Sequence, residues 1–230
     1  MNPILAFGLA VLTAANLWTI SATAAGGLVV VELFQSQGCS SCPPANANVN
    51  AMTARGDLLV LSFGVTYWDR LGWRDTFATP AFTNRQYDYA KGLQSGNVYT
   101  PQVVLNGRQH LPGINRGELH AAIAHAGRVP AGPLSVAANV VSVAAAPPQA
   151  PSEVWLVRYD PRTIEVAVQA GENDGRTLPH MNLVRELVRL GEWTGRARTF
   201  VLPPPGSATL KTAILMQQGR GGPILAALSL

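Results

Sequence analysis

Val30-Val31-Glu32-Leu33-Phe34-Gln35-Ser36-Gln37-Gly38-Cys39-Ser40-Ser41-Cys42-Pro43-Pro44 holds the only two cysteines of the chain. From Gly27 to Phe34 the run is apolar, broken by Glu32 alone, which predicts a buried strand. Pro43 and Pro44 suit the first turn of a helix, where amide protons lack intrahelical partners. That helix is expected to reach about Ala54 and to stop at Gly56. A bond between Cys39 and Cys42 closes so small a loop that it removes little entropy from the unfolded chain. A Cys-x-x-Cys between a strand and a helix start is instead the layout of a dithiol that shuttles between thiol and disulfide.

In that layout Cys39 lies at a helix N-terminus, where the macrodipole and free amides favour the thiolate. Cys39 is the expected nucleophile. Cys42, one turn deeper, is the expected resolving thiol that breaks a mixed disulfide and releases product. Other readings of the pair stay open. A structural zinc site wants about four ligands at paired spacing, and no second cysteine pair exists. Copper(I) suits two soft thiolates, with a histidine as a further ligand. A redox-inactive binding module would keep the pair as a passive feature.

Residues 1–25 read as a signal peptide. Ile4 to Ile20 is mostly apolar, and Ser21 to Ala25 supplies small residues of the Ala-x-Ala type. The expected location is therefore periplasmic or secreted, where a dithiol works as oxidant, isomerase or locally re-reduced reductant. Membrane contact is expected only through an uncleaved signal. The net charge of +4 is modest, and the 17 Lys and Arg residues are scattered, with Lys91 and Lys211 the only lysines. No basic stripe interleaves with aromatics, so no nucleic-acid partner is expected. No resident cofactor or metal is expected either. The partner class is a protein or small-molecule thiol or disulfide.

Past the first helix, Asp57 to Tyr67 predicts a second strand, Trp68 to Trp73 a loop, and Pro80 to about Gly96 a helix. Tyr99 to Leu105 predicts a strand opened by Pro101. Asn106-Gly107 signals a hairpin into Arg108 to Leu111, and Arg116 to Ala126 has helical spacing. This order, with Thr100-Pro101 at its place, resembles a thioredoxin-like domain over residues 26–128. The resemblance implies a cis-proline at Pro101 facing the cysteines, with the backbone of Thr100 exposed to substrate.

A closer resemblance covers nearly the whole of residues 26–230. Glu32-Leu33-Phe34, Gln37 to Pro44, Tyr67-Trp68-Asp69, Leu71-Gly72-Trp73, Tyr99 to Gln102 and Arg176 to His180 are similar to the secreted bacterial proteins of domain-of-unknown-function family 1223. Many thioredoxin-like enzymes place a buried carboxylate under the resolving cysteine, and the resemblance implies that Glu32 fills that role. The other reading of Glu32 is a strand-end residue facing water. Trp68 and Asp69 are expected near the same face.

From Pro130 the composition shifts to Ala, Val and Pro, and Ala144 to Pro151 reads as a long loop. Strands are expected at about 133–143, 153–159, 162–169, 182–190, 197–202, 209–217 and 223–229, with a helix as the alternative for Leu183 to Leu190. Gly219 to Gly222 reads as a hairpin turn. The expected fold is an α/β thioredoxin-like domain followed by a mainly antiparallel, sandwich-like β domain at 129–230. His180 is placed in a loop, as a structural residue or as a ligand or proton donor beside the dithiol.

Overall fold

Val29–Gln35 is buried along its whole length and forms β1 of the computed structural model, which describes residues 26–147 and 150–230. The signal expected at residues 1–25 lies outside these, as do Pro148 and Gln149. β1 pairs in parallel with β2 (Leu58–Gly64) and antiparallel with β3 (Gln102–Leu105). A strand flanked on both sides and covered on both faces has no use for a polar side, which explains its continuous apolar run. α1 (Cys42–Asn50) joins β1 to β2, and α2 (Pro80–Gly92) joins β2 to β3. Both helices carry proline in their first turn, and the Thr79 hydroxyl caps α2 by accepting from the Phe82 amide. β3 turns at Asn106 and Gly107, with φ of 51° and 63°, into β4 (Gln109–Leu111), and α3 (Arg116–His125) follows. The expected hairpin and helices are present, with α1 and α2 four residues shorter at their ends.

The second half supplies β5 (Leu134–Ala137), β6 (Val140–Val143), β7 (Ser152–Asp160), β8 (Ile164–Ala167) and β9 (Thr177–His180). β10 (Leu183–Trp193), β11 (Arg198–Val201), β12 (Lys211–Gln218) and β13 (Ile224–Ser229) complete it. One mixed eight-stranded sheet runs β13-β12-β7-β10-β2-β1-β3-β4. Strands from either side of residue 128 thus share a sheet, joined where Leu183 of β10 pairs in parallel with Ser62 of β2.

Alternation along the strands divides the core. Val30 and Phe34 of β1, Leu61 and Phe63 of β2, Val157 of β7 and Leu215 of β12 face Phe82 and Tyr89 of α2. On the opposite face, Val31 and Leu33 pack on Ala45 and Val49 of α1 and on Leu119 and Ile123 of α3. Farther along that face, Val154, Leu156, Ile214 and Met216 pack on the three-stranded sheet β11-β6-β5 through Leu134, Val141 and Phe200. The sandwich-like layer is therefore real, but one of its two sheets is the far end of the sheet that carries β1.

Two expectations need correction, and at Leu183 to Leu190 the expected strand is present in place of its helical alternative, because β7 pairs antiparallel along its length. The single strand at 133–143 is two strands joined by a turn in which Ala138 has φ of 51°. His180 ends β9, opposite Ile164 of β8, rather than lying in a loop. The Gly219 to Gly222 turn does more than reverse the chain, since a Cβ on Gly221 would overlap the Asp88 carbonyl of α2.

Candidate functional site

Cys39 and Cys42 are joined in a disulfide with their Cα atoms 5.4 Å apart. α1 begins at Cys42 itself, with Ser41 at the N-cap position. Cys39 lies before the helix, and its carbonyl accepts the Cys42 amide at 3.2 Å. The disulfide holds the Cys39 sulfur at the start of α1, and among the described residues the side chains within hydrogen-bond distance of it are hydroxyls. Thr100 donates its hydroxyl to Cys39 Sγ at 3.3 Å, and Ser41 Oγ lies 3.4 Å from the same atom. Trp68 Nε1 donates to Thr100 Oγ1 at 2.7 Å. An indole N–H can only donate, so the Thr100 hydroxyl accepts from Trp68 and keeps its own proton for sulfur. The Thr100–Pro101 bond is cis, and Pro101 is buried beside the pair.

The loop before Cys39 is held from two sides. Asp75 Oδ2 accepts the Gln37 amide at 2.9 Å, and its Oδ1 accepts the Phe77 amide at 2.8 Å. Burial pushes the Asp75 carboxyl up, against the pull of those two amides. Asp69 Oδ1 accepts the Asp75 amide at 3.1 Å, and Trp73 Nε1 donates to Gln37 Oε1 at 2.9 Å. From the other side comes the short 3₁₀ turn Gly171–Asn173 between β8 and β9. Asn173, fully buried, donates its side-chain amide to the carbonyls of Gln37 and Cys39, each at 2.9 Å. Glu172 Oε2 accepts from the Ser40 hydroxyl at 2.6 Å and from its amide at 3.1 Å, and the Ser40 hydroxyl foremost holds the exposed Glu172 carboxyl below its usual range. Cys39 is 0% and Cys42 1% exposed under this clamp.

Glu32 does not sit under Cys42. Successive strand residues point to opposite faces, and Glu32 shares the α2 face with Val30 and Phe34, whereas α1 packs on Val31 and Leu33. Its carboxylate accepts from Arg85 Nε at 2.7 Å and from the Tyr89 hydroxyl. Arg85 also donates to Gln217 Oε1 at 3.1 Å. Burial works against the Arg85 charge, but Glu32, Tyr89 and Asp88 together raise its pKa. This is a structural ion pair and not a proton carrier for the resolving thiol.

On the α1 face the buried polar groups are amides and an imidazole. Asn46 Nδ2 lies 3.4 Å from Gln35 Oε1 and 3.3 Å from His180 Nδ1. Burial pushes the His180 imidazole down to about 4, so the ring is neutral at neutral pH. Among the described residues, no group of three or more His, Cys, Asp or Glu side chains is placed to hold a metal ion. Nor is any described helix long and apolar enough to cross a membrane.

The structure thus brings Cys39, Cys42, Thr100 and Pro101 together, adds Trp68 through Thr100, and sends Glu32 elsewhere. Sequence reasoning missed Asp75, Glu172, Asn173, Gln35 and Asn46. The match at Arg176 to His180 was the one signal that this distant segment belonged with the cysteines. Chemically, the arrangement is a disulfide at a strand-to-helix junction with two hydroxyls at Cys39 Sγ and a protein clamp over its loop.

A family described as a protein of unknown function, DUF1223, matches residues 30–217. The crystal structure of protein AGR_C_4864 from Agrobacterium tumefaciens is similar at 33% identity and a TM-score of 0.69, over 88% of this chain and 93% of that one. HBP35 of Porphyromonas gingivalis shares the fold at 13% identity and a TM-score of 0.56, over 89% of this chain and 75% of that one. No curated protein matches.

Proposed function

The chain belongs to the DUF1223 family, whose function is unknown, and from that premise we propose that it is an exported thiol-disulfide oxidoreductase with Cys39 as nucleophile and Cys42 as resolving thiol. The observation that carries the reading is the chain from Trp68 through Thr100 to Cys39 Sγ, at 2.7 and 3.3 Å. A structural disulfide needs no oriented donor, whereas a thiolate is stabilised by one. Support for a thioredoxin-like core comes from the order β1, α1, β2, α2, β3, β4, α3 and from the placement of Thr100, just before β3, against Cys39. The composition of residues 1–25 supports export.

In the reducing direction the Cys39 thiolate attacks a substrate disulfide, forming a Cys39–substrate bond and expelling one substrate thiolate. Cys42 gives its proton to the expelled substrate thiolate and, as thiolate, then attacks Cys39 Sγ. The Cys39–Cys42 bond forms, the bond to substrate breaks, and the second substrate thiolate leaves. Two electrons pass from the protein dithiol to the substrate disulfide, and the reverse sequence oxidises a substrate dithiol. The Thr100 hydroxyl, aimed at Cys39 Sγ, favours the thiolate in the first step and in the last. Because both cysteines are buried, exchange proceeds when the Gly171–Asn173 clamp moves off the Cys39 loop.

The test is trapping. Cys42→Ser should accumulate mixed disulfides through Cys39, because the resolving attack is gone, whereas Cys39→Ser should trap nothing. Adducts on Cys42 in the Cys39→Ser protein would reverse the assignment, and the absence of adducts in both would overturn the reading.

A further inference from the structure

The buried cluster beneath α1 has more hydrogen-bonding capacity than partners. Gln35, Asn46 and His180 are 0%, 5% and 2% exposed. Asn46 Nδ2 bridges Gln35 Oε1 and His180 Nδ1, yet Asn46 Oδ1, Gln35 Nε2 and His180 Nε2 have no partner among the described residues. Buried polar atoms are nearly always hydrogen-bonded, so three orphans in one cluster point to a partner that another state of the molecule supplies. Asn46 lies four residues after Cys42 in α1, on the same face. Helical side chains lean toward the N-terminus and cover the preceding turn. The Asn46 amide therefore lies over the turn that begins with Cys42. In the disulfide, Cys42 has no proton to give. On reduction it gains an S–H, buried, on that same face.

We propose that Asn46 is a positioning residue of the dithiol: held by Gln35 and His180, its Oδ1 accepts the Cys42 S–H, keeping the resolving thiol protonated and leaving the thiolate to Cys39. A bond made to the neutral form of an acid disfavours its charged form. Nothing charged on the surrounding elements undoes this. α1 has no other ionisable residue, and Glu32 of β1 faces the opposite side of the sheet in its pair with Arg85. Phe77 meets the His180 ring edge-on at 6.4 Å and carries Arg185 over its own ring at 4.7 Å, while Asp75 is committed to the Gln37 and Phe77 amides. His180 itself is neutral, pushed down to about 4 by burial. The inference rests on the thiol-disulfide reading for its purpose but not for its test.

The test is the infrared S–H stretching band of reduced Cys39→Ser protein, in which Cys42 is the only thiol. The band should lie at the lowered frequency of a thiol bonded to an amide oxygen, and should move up when Asn46→Leu is added. His180→Phe, which leaves Asn46 in place but unheld, should broaden the band and shift it part of the way, and it serves if Asn46→Leu fails to fold. A low-frequency band that neither variant moves assigns the bond to a helix carbonyl and overturns the inference. So does a band already at the frequency of a free thiol. Either result leaves trapping by Cys42→Ser untouched, so failure here and failure of the oxidoreductase reading are distinguishable.

Discussion

Asn173 donates its side-chain amide to the carbonyl oxygen of Cys39 at 2.9 Å, tying the second half of the chain to the dithiol loop across 134 positions of sequence. The same amide holds the Gln37 carbonyl, and Arg176 Nη1 donates to Asn173 Oδ1 at 2.7 Å, which orients it. The dithiol loop is thus braced by one fully buried side chain as well as by its own turn.

Asn173→Ala leaves two carbonyls without their donor, at a cost of about 1–3 kcal/mol in denaturant unfolding. Alkylation of the reduced protein at Cys39 should be faster than in the wild type, because the cover is loosened. An alkylation rate that does not change while stability falls would show that the clamp braces the loop without gating it.

Glu32→Gln should be costly for stability and mild for chemistry. It leaves the Arg85 guanidinium, 5% exposed, beside a neutral amide, and breaking a buried pair by removing one partner costs about 3–5 kcal/mol. Disulfide exchange per folded molecule should stay near the wild-type rate. A large loss of exchange with intact folding would return Glu32 to the reacting centre.

Thr100→Val removes the hydroxyl that donates to Cys39 Sγ at 3.3 Å. Hydrogen bonds to charged groups contribute about 1.5–3 kcal/mol, so alkylation of Cys39 near neutral pH should slow by roughly tenfold or more. Its pH profile should move to higher pH, and Thr100→Ser should restore much of the rate. Equal profiles in all three proteins would remove the donor argument.

Burial of His180 should make the fold sensitive to acid. Burial lowers His180 from 6.5 to about 4, so the unfolded chain takes up this proton first as pH falls. Its contribution is fully present above about pH 6.5 and is lost progressively down to about pH 4, by about 3 kcal/mol in all. His180→Gln should flatten the stability curve across that window in urea titrations. An unchanged slope would mean that His180 is not held neutral.

Local patterns carried the first half of the fold into the sequence. A strand buried on both faces writes itself as an unbroken apolar run, as in Val29 to Phe34, and Asn106-Gly107 needs two positive φ angles that few other pairs adopt. The site's inner members were legible for the same reason, since Cys39, Cys42 and Pro101 sit at turns with distinctive residues. What the sequence hid was non-local. Whether Glu32 faced α1 or α2 depended on a register that one residue of loop length reverses. The joining of Leu183 to Ser62 depended on a pairing across more than a hundred positions, and strand periodicity alone does not choose a partner. Asn173 read as a turn residue because its three-residue 3₁₀ segment is a turn, and only the fold shows what its side chain holds.

The most direct measurement of the central claim is the reduction potential of the Cys39–Cys42 pair against glutathione. A pair built for exchange should equilibrate within the range of about −120 to −270 mV, where dithiol oxidoreductases work, and a value below about −300 mV, typical of structural disulfides, would contradict the account.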